Sequence, residues 1–548
     1  MEKQSLKRCF GMREALTITV GTVIGVGLFT MGGNVVGRMG PSVILATLAA
    51  LAISIYPALL YAEMGAALPF AGGTYQYATA GLGRPFGMLA GWNFVISMVS
   101  VASGEALAFS FYLRTLLAAL GVTLPFGDTV LACIAVLAFV ILGVCGVEMT
   151  GRLQNAFMFF FWGVTVVWVT SMLPNIHLAN FDSFGISRLS GLANANPLDG
   201  GFLANVAMVW WCFAGFETCC AMGEEIRHPR INLPRALFLA PFLVFAVNGL
   251  FQWVLVSIVP ADSLAALAVA DAPYAFGLQA AGVIGFPLVL LCAGIAFGGD
   301  FSTLNASLTA PARYLYTMAR DGALPAFLAR VHQKRQTPYI AVLLLGALVL
   351  LLVGTGSLYL IASLSLFATL LYYIIGMAAA MGLRRRKPKM ARPYRTPLLW
   401  IGAPVSIGVY LLLMLQLELT AVLAGVAWCV LGLAAYFFCR KRRARWDTAP
   451  DGVPANVTNV FFGHETQPCN VPDALSGHES RPILAPGGLP TCESDSSTGL
   501  ISGDLPSDPP PPTADEKRRM DREYRIWCIV VGCAAVLVVV LFAVSYLL

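Results

Sequence analysis

The chain has 548 residues, 58% of them hydrophobic and 12% charged, with a net charge of +6. A water-soluble domain carries about 25% charged residues, so this composition excludes an ordinary soluble enzyme or binding module and assigns most of the chain to a bilayer. The positive balance does not point to nucleic acid, because the basic residues sit in short runs between apolar stretches.

In chain order the apolar stretches lie near 14–37, 41–68, 86–119, 129–149, 153–174, 201–223, 235–259, 282–312, 338–356, 358–383, 398–417 and 419–438. Each is long enough, at about 20 residues or more, to cross the hydrocarbon core as a helix. The first is read as a retained span rather than a signal peptide, since no small-residue cleavage site closes it and another span follows at once. Basic runs at Lys3–Arg13, Arg227–Arg235, Arg330–Arg335, Arg384–Lys389 and Arg440–Arg445 fall on alternate connections, whereas Asp128, Asp182, Asp199, Asp262 and Asp271 fall on the others. This asymmetry predicts a cytoplasmic N-terminus.

Residues 1–445 are thus expected to form a twelve-span core. Residues 446–521, rich in Pro, Ser, Gly and Asp and including the run Pro509–Pro512, hold too few large apolar side chains to build a core and read as a disordered cytoplasmic linker. Residues 522–548 read as an extra C-terminal transmembrane helix, apolar from Ile526 to Leu548, with Lys517 to Arg525 before it and its end outside. A cytoplasmic linker also keeps the sequon at Asn456 from glycosylation. The 13 cysteines show neither a metal-ligand spacing nor a disulfide framework.

Glycine interrupts two otherwise apolar spans: the first at Gly21, Gly25 and Gly27, and the sixth at Gly215. Paired interruptions five spans apart point to broken helices around a binding site at mid-membrane, because unwound backbone is tolerated only where it lines a cavity. Close helix packing is the alternative for Gly21 and Gly25.

Several motifs, taken together, carry a resemblance over roughly residues 10–440. They are Gly21-Thr-Val-Ile-Gly-Val-Gly-Leu-Phe29, Tyr61-Ala-Glu63, Pro69-Phe-Ala-Gly-Gly-Thr-Tyr75, Gly91-Trp92, Phe213-Ala-Gly-Phe-Glu217, Gly223-Glu-Glu225, His228-Pro229, Asn232-Leu-Pro-Arg235, Ala319-Arg-Asp-Gly322, Leu324-Pro325 and Arg392-Pro-Tyr-Arg395. In this order they resemble the amino acid/polyamine/organocation transporter superfamily. The resemblance implies an all-α multi-pass fold of the leucine-transporter type, spans 1–5 forming an inverted repeat with spans 6–10 and two spans peripheral.

It also implies a site. The broken part of span 1, Ile24, Gly25, Val26 and Gly27, would present backbone N–H groups to a substrate carboxylate, and carbonyls near Val23, Trp211 and Ala214 would face its ammonium; helix ends of those polarities suit such charges. Gly215 joins the substrate-binding set. Trp211 is expected to close over the substrate, and Glu217 to link span 6 to its neighbours or take part in proton coupling. Glu105 aligns with substrate side-chain contacts. Asp300, with Thr303 and Ser307 on one helix face, is a coupling candidate, and Ser307 a substrate-lining one.

One feature departs from the resemblance: span 5, reading Gln154-Asn-Ala-Phe-Met-Phe-Phe-Phe-Trp162, lacks the lysine that replaces a sodium ion in some members. Glu63, Glu224 and Glu225 are expected to cap helices or pair with Arg227, Arg230 or the basic N-terminus. Arg313 and Arg320 read as snorkelling anchors. Glu105 and Asp300 each need a cationic substrate, a proton or a partner such as Arg114 to offset desolvation.

No nucleophile–base pair or metal cluster appears among the spans, which argues against an enzyme, and no filter or charge ring argues for a channel. The function expected is secondary active transport of amino acids by alternating access; the alternatives are a polyamine or organic amine transporter, or a transporter-like nutrient sensor. No cofactor is expected. The partners are an amino acid or amine substrate, protons or a counter-substrate, and the lipid bilayer.

Overall fold

A computed structural model describes residues 10–145, 147–182, 201–332, 335, 337–443 and 512–547. Among them the chain is helical, apart from isolated bridges pairing Phe10 with Ile226 and Ala71 with Met222. The chain divides into a large unit, 1–452 with 509–548, and a small one, 453–508. The small unit, most of the expected linker and the sequon at Asn456 lie outside the described residues.

Ten helices in the described residues are long and apolar enough to cross a membrane, with Tyr339–Val353 and Leu399–Met414 as shorter apolar helices. The first expected span is not one helix. α1 (Met12–Gly21) stops, residues 22–26 turn, and a π-helical stretch, Gly27–Gly32, restarts the rod and leads into α2 (Gly33–Met39). Gly25 is needed there because a Cβ at this position would overlap the Glu105 carboxylate and the Thr303 hydroxyl.

Then come α3 (Val43–Ala67), α4 (Gly73–Gly81), α5 (Arg84–Ala119), α6 (Asp128–Cys145) and α7 (Val147–Met172). The sixth span repeats the interruption: α8 (Phe202–Trp211) ends, Gly215 adopts φ 107°, and a 3-10 turn, Phe216–Ala221, follows. That left-handed backbone is open to glycine and strained for other residues. α9 (Pro229–Ile258) precedes α10 (Phe286–Gly294), whose π-helical continuation, Ile295–Asp300, runs into α11 (Phe301–Arg320). After Arg320 come the α-helices α12 (Tyr339–Val353), α13 (Leu358–Arg386), α14 (Leu399–Met414), α15 (Leu419–Arg443) and α16 (Ala514–Leu547), and short helices at Ala179–Asp182, Leu264–Leu267 and Pro273–Ala280 lie in the earlier connections.

Burial separates inner from outer helices. α5 and α9 are enclosed along most of their length, and α5 carries the buried polar series Ser97, Ser100, Ser103 and Glu105. α6, α7, α15 and α16 instead expose Ile134, Ile141, Val166, Val430 and Val536, the apolar faces that lipid requires.

α16 starts at Ala514, ahead of the boundary expected at 522. The cause is a capping box: the Glu516 N–H donates to Thr513 Oγ1 at 3.3 Å, and the Glu516 carboxylate accepts the Thr513 N–H at 2.9 Å. The helix then runs along α9. Val538 sits against Gly249, where a Cβ would collide with it, and Trp253 Nε1 donates to Ser545 Oγ at 2.9 Å. At its polar start Arg235 pairs with Asp521 and lies 5.0 Å over the Tyr524 ring, while Arg13 Nε is 3.0 Å from Glu523.

Several charged residues have partners other than those expected. Arg313 does not snorkel: it is 2% exposed and donates to Glu225 through Nε at 3.0 Å and Nη2 at 3.4 Å. Arg320 reaches Glu224 at 3.4 Å, and Glu63 pairs with Arg384 and Arg392 across the fold. Arg114 is taken by Asp128 at 2.7 Å and does not serve Glu105 or Asp300. Sequence proximity suggested local pairs, whereas helices packed side by side bring distant residues together, and a buried guanidinium needs a carboxylate wherever the fold supplies one.

Candidate substrate site

The two helix breaks face each other: the Cys212 thiol of the second donates to the Gly27 carbonyl of the first at 3.0 Å. Between them lies a cavity. Thr22, Val23, Val26 and Gly27 line it from the first break, Trp211, Ala214 and Gly215 from the second, Ser97, Met98, Val101 and Glu105 from α5, and Thr369 and Tyr372 from α13. Its volume is about 20 Å³, against the roughly 300–1,000 Å³ of ligand pockets, so the walls must part before an organic substrate enters.

Seven of the residues singled out in the sequence therefore meet here: Val23, Val26, Gly27, Glu105, Trp211, Ala214 and Gly215. Ile24 and Gly25 belong to the same turn without lining the cavity. Ser307 is buried in α11 and does not line it either. The free amides expected over Ile24–Gly27 are largely engaged. Ile24 N–H donates to Val20 O at 3.0 Å, Gly25 N–H to Val23 O at 3.1 Å, and Val26 N–H to Glu105 Oε1 at 2.8 Å. The Trp211 carbonyl accepts the Ala214 N–H at 3.1 Å. Tight turns satisfy their own backbone where they can, and at Val26 a side-chain carboxylate from α5 supplies the acceptor the turn lacks.

Glu105 and Asp300 are both buried. Asp300 ends the π-helical segment before α11, and its carboxyl group interacts with that of Glu105. Among the described residues, Glu105 Oε2 and the Asp300 oxygens have no hydrogen-bond partner other than each other, and no basic side chain forms a salt bridge with either residue. Two such carboxyl groups side by side in a dry region do not both carry charge.

Around the end of α1, carbonyls released by the break are satisfied by neutral donors. Thr303 Oγ1 donates to Gly21 O at 2.7 Å and Ile24 O at 3.0 Å, and Ser302 Oγ to Gly21 O at 3.2 Å. Gln154 of α7 holds Ser302 Oγ at 2.7 Å and Thr17 O at 3.2 Å, and accepts Asn305 Nδ2 at 2.7 Å.

Trp211 is buried, its Nε1 donating to Ser365 Oγ at 3.2 Å. Glu217 lies beyond the second break, its carboxylate gripped by the hydroxyls of Tyr372 and Tyr373, while Tyr373 also accepts the Gly215 N–H at 3.2 Å. It thereby ties span 6 to α13. The Arg313–Glu225 pair bridges α11 to the end of span 6, and Phe10 N–H donates to the Glu225 carbonyl at 3.0 Å.

Thr22, Ser97, Met98, Val101, Thr369 and Tyr372 were not singled out in the sequence. A signal was present: Ser97, Val101 and Glu105 recur every four residues on one helical face, with Ser97 and Glu105 polar amid an apolar span.

The family model for amino acid permeases matches residues 10–462, covering both breaks and every residue that lines the cavity. The chain belongs to the amino acid permease family. It is 24% identical over 462 residues to the branched-chain amino acid permease of Bacillus subtilis, an alignment covering 81% of this chain and 95% of that protein. It is 30% identical over 466 residues to an uncharacterized transporter of Mycobacterium bovis, covering 82% and 97%. With cationic amino acid transporter 4 of Mus musculus it shares 29% over 422 residues, covering 73% and 63%. As a permease, the protein uses its helix breaks as cavity walls, and α16 lies beyond the stretch that the family model matches.

Proposed function

We propose that this permease moves amino acids across the membrane by alternating access, with the cavity between the two helix breaks as the substrate site. The observation that carries this reading is the Glu105–Val26 hydrogen bond of 2.8 Å at the cavity wall. An amide already holding a carboxylate is chemically matched to the carboxylate of an amino acid. The substrate takes over the Val26 amide, its ammonium faces the Val23 and Ala214 side, Trp211 covers it, and Gly25 and Gly215 give the backbone room. Ile24, Gly27 and Ser307 support the lining, and Glu217 holds the second break in register. Spans 1–5 and 6–10 act as the two halves of an inverted repeat.

Substrate binding then has an electrostatic consequence. Glu105, displaced from Val26, is left beside Asp300 without a cation, and it takes a proton to remain buried. Substrate and proton therefore travel together. A second reading, that the pair recognises an additional positive charge on the substrate, is less well supported because Asp300 does not line the cavity. Relatives described as amino acid permeases and transporters favour amino acids over polyamines or a sensing role. The charge asymmetry supports a cytoplasmic N-terminus and linker and an external C-terminus.

The test is uptake of labelled leucine into proteoliposomes, with a competition panel of neutral and cationic amino acids and of diamines, run with and without an inward proton gradient. Gradient-stimulated uptake suppressed by neutral amino acids is expected. Competition by diamines alone would overturn the substrate class, and uptake indifferent to the gradient would overturn the coupling.

A further inference from the structure

The elbow between α13 and α14 is densely basic: Arg384, Arg385, Arg386, Lys387, Lys389, Arg392 and Arg395 fall within a dozen positions. Three of these guanidinium groups converge. Arg384, Arg392 and Arg395, with Pro388 and Met390, line a cavity of about 270 Å³ at this end of the bundle.

The cavity is held open by a braced wall. Arg384 donates to Glu63 Oε1 at 2.9 Å and Oε2 at 2.5 Å, and to the Thr396 carbonyl. Arg392 spreads its Nη donors over the carbonyls of Leu383, Lys387, Pro388 and Met390, with Nε 3.4 Å from Glu63. One carboxylate thus serves two guanidinium groups, and Arg395, exposed at the rim, adds a third cation that forms no salt bridge among the described residues. Burial pushes the pKa of Arg392 down; Glu63 opposes this, while Arg384 and Arg395 add to it. Three guanidinium groups against one carboxylate leave the site net positive.

Its surroundings are apolar. α14 begins beside the elbow, and Leu398, Ile401 and Val405 are 72%, 64% and 61% exposed. The Arg385 guanidinium lies 4.8 Å over the ring of Trp400. A basic end on an apolar helix with an aromatic residue beside it is the arrangement found at the headgroup level of a bilayer.

We propose that this cavity binds the phosphate of an anionic phospholipid, with the acyl chains lying along Leu398, Ile401 and Val405. Guanidinium groups suit phosphate oxygens in charge and in fork geometry, and basic pockets at helix ends suit lipid headgroups. The adjoining apolar strip selects a lipid over a free anion.

The test uses the full-length permease in detergent, with thermal unfolding followed during titration by short-chain phosphatidylglycerol, short-chain phosphatidylcholine or inorganic phosphate. Saturable stabilisation by phosphatidylglycerol alone is expected. Arg395→Glu weakens the apparent affinity at least tenfold, and Arg395→Lys retains most of it. Because Arg395 is exposed and does not line the substrate cavity, leucine uptake by both variants in phosphatidylcholine liposomes matches the parent and verifies folding. Equal stabilisation by phosphatidylcholine, equal stabilisation by phosphate, or unaltered phosphatidylglycerol affinity in Arg395→Glu would each overturn the proposal.

Discussion

Glu105 Oε1 accepts the Val26 amide proton at 2.8 Å, so a side chain of the protein occupies the amide that the proposed function assigns to a substrate carboxylate. Replacing Glu105 by Gln keeps the size of the group and removes its ability to exchange a proton. Gradient-driven uptake by Glu105→Gln falls about tenfold or more, equivalent to roughly 1.4 kcal/mol, while exchange of internal for external amino acid persists. Parallel measurements of the two modes in proteoliposomes check this; a variant that still responds fully to the gradient places the coupling proton elsewhere.

At Gly25 and Gly215 the backbone geometry makes a sharper forecast. Gly25→Val drives a side chain into the Glu105 carboxylate and Thr303, and Gly215→Val puts a β-branched residue at φ 107°. The second costs about 1–2 kcal/mol from backbone strain alone. Both variants reach the membrane and lose uptake, as surface biotinylation combined with leucine flux would show. Normal flux in either would make these glycines packing residues only.

Trp211 contributes an indole face to the cavity and an N–H to Ser365. Trp211→Phe retains the aromatic face and loses only the hydrogen bond, worth about 0.5–1.5 kcal/mol. Trp211→Ala loses both, and binding weakens more than in Trp211→Phe. Scintillation proximity binding with labelled substrate ranks the three proteins, and equal affinities would remove the gate.

Arg313 and Glu225 form a buried pair, and deleting one partner strands the other charge at a cost of about 3–5 kcal/mol. Arg313→Ala and Glu225→Ala each lower the unfolding temperature in detergent. The double variant is less destabilised than the two single losses added together, because neither charge then remains. Strict additivity would show that the pair does not act as a unit.

The sequence revealed periodic and categorical features better than long-range ones. Apolar runs located the spans, and glycine spacing located both breaks, because a backbone that leaves the helix needs residues without a Cβ. Thr513 and Glu516 announced the start of α16, but the linker composition around them drew the boundary later. What stayed hidden depended on which helices lie side by side. Nothing local to Val26 indicates that Glu105 would take its amide, and nothing local to Glu63 names Arg384 as its partner. The neutral clamp of Gln154, Ser302 and Thr303 was equally invisible, since each residue reads alone as an ordinary polar side chain in a span.

α16 fills the face of α9 at Gly249, accepts the Trp253 indole N–H on Ser545 Oγ, and reaches Arg235 and Arg13 through its polar start. In transporters that work with a separate accessory subunit, the ratio of the two chains has to be matched by expression and assembly. Here the companion helix is encoded in the same polypeptide, beyond the matched stretch that ends at residue 462, and is present at one copy per permease. A helix from another protein can reach the Gly249 groove only by first displacing it.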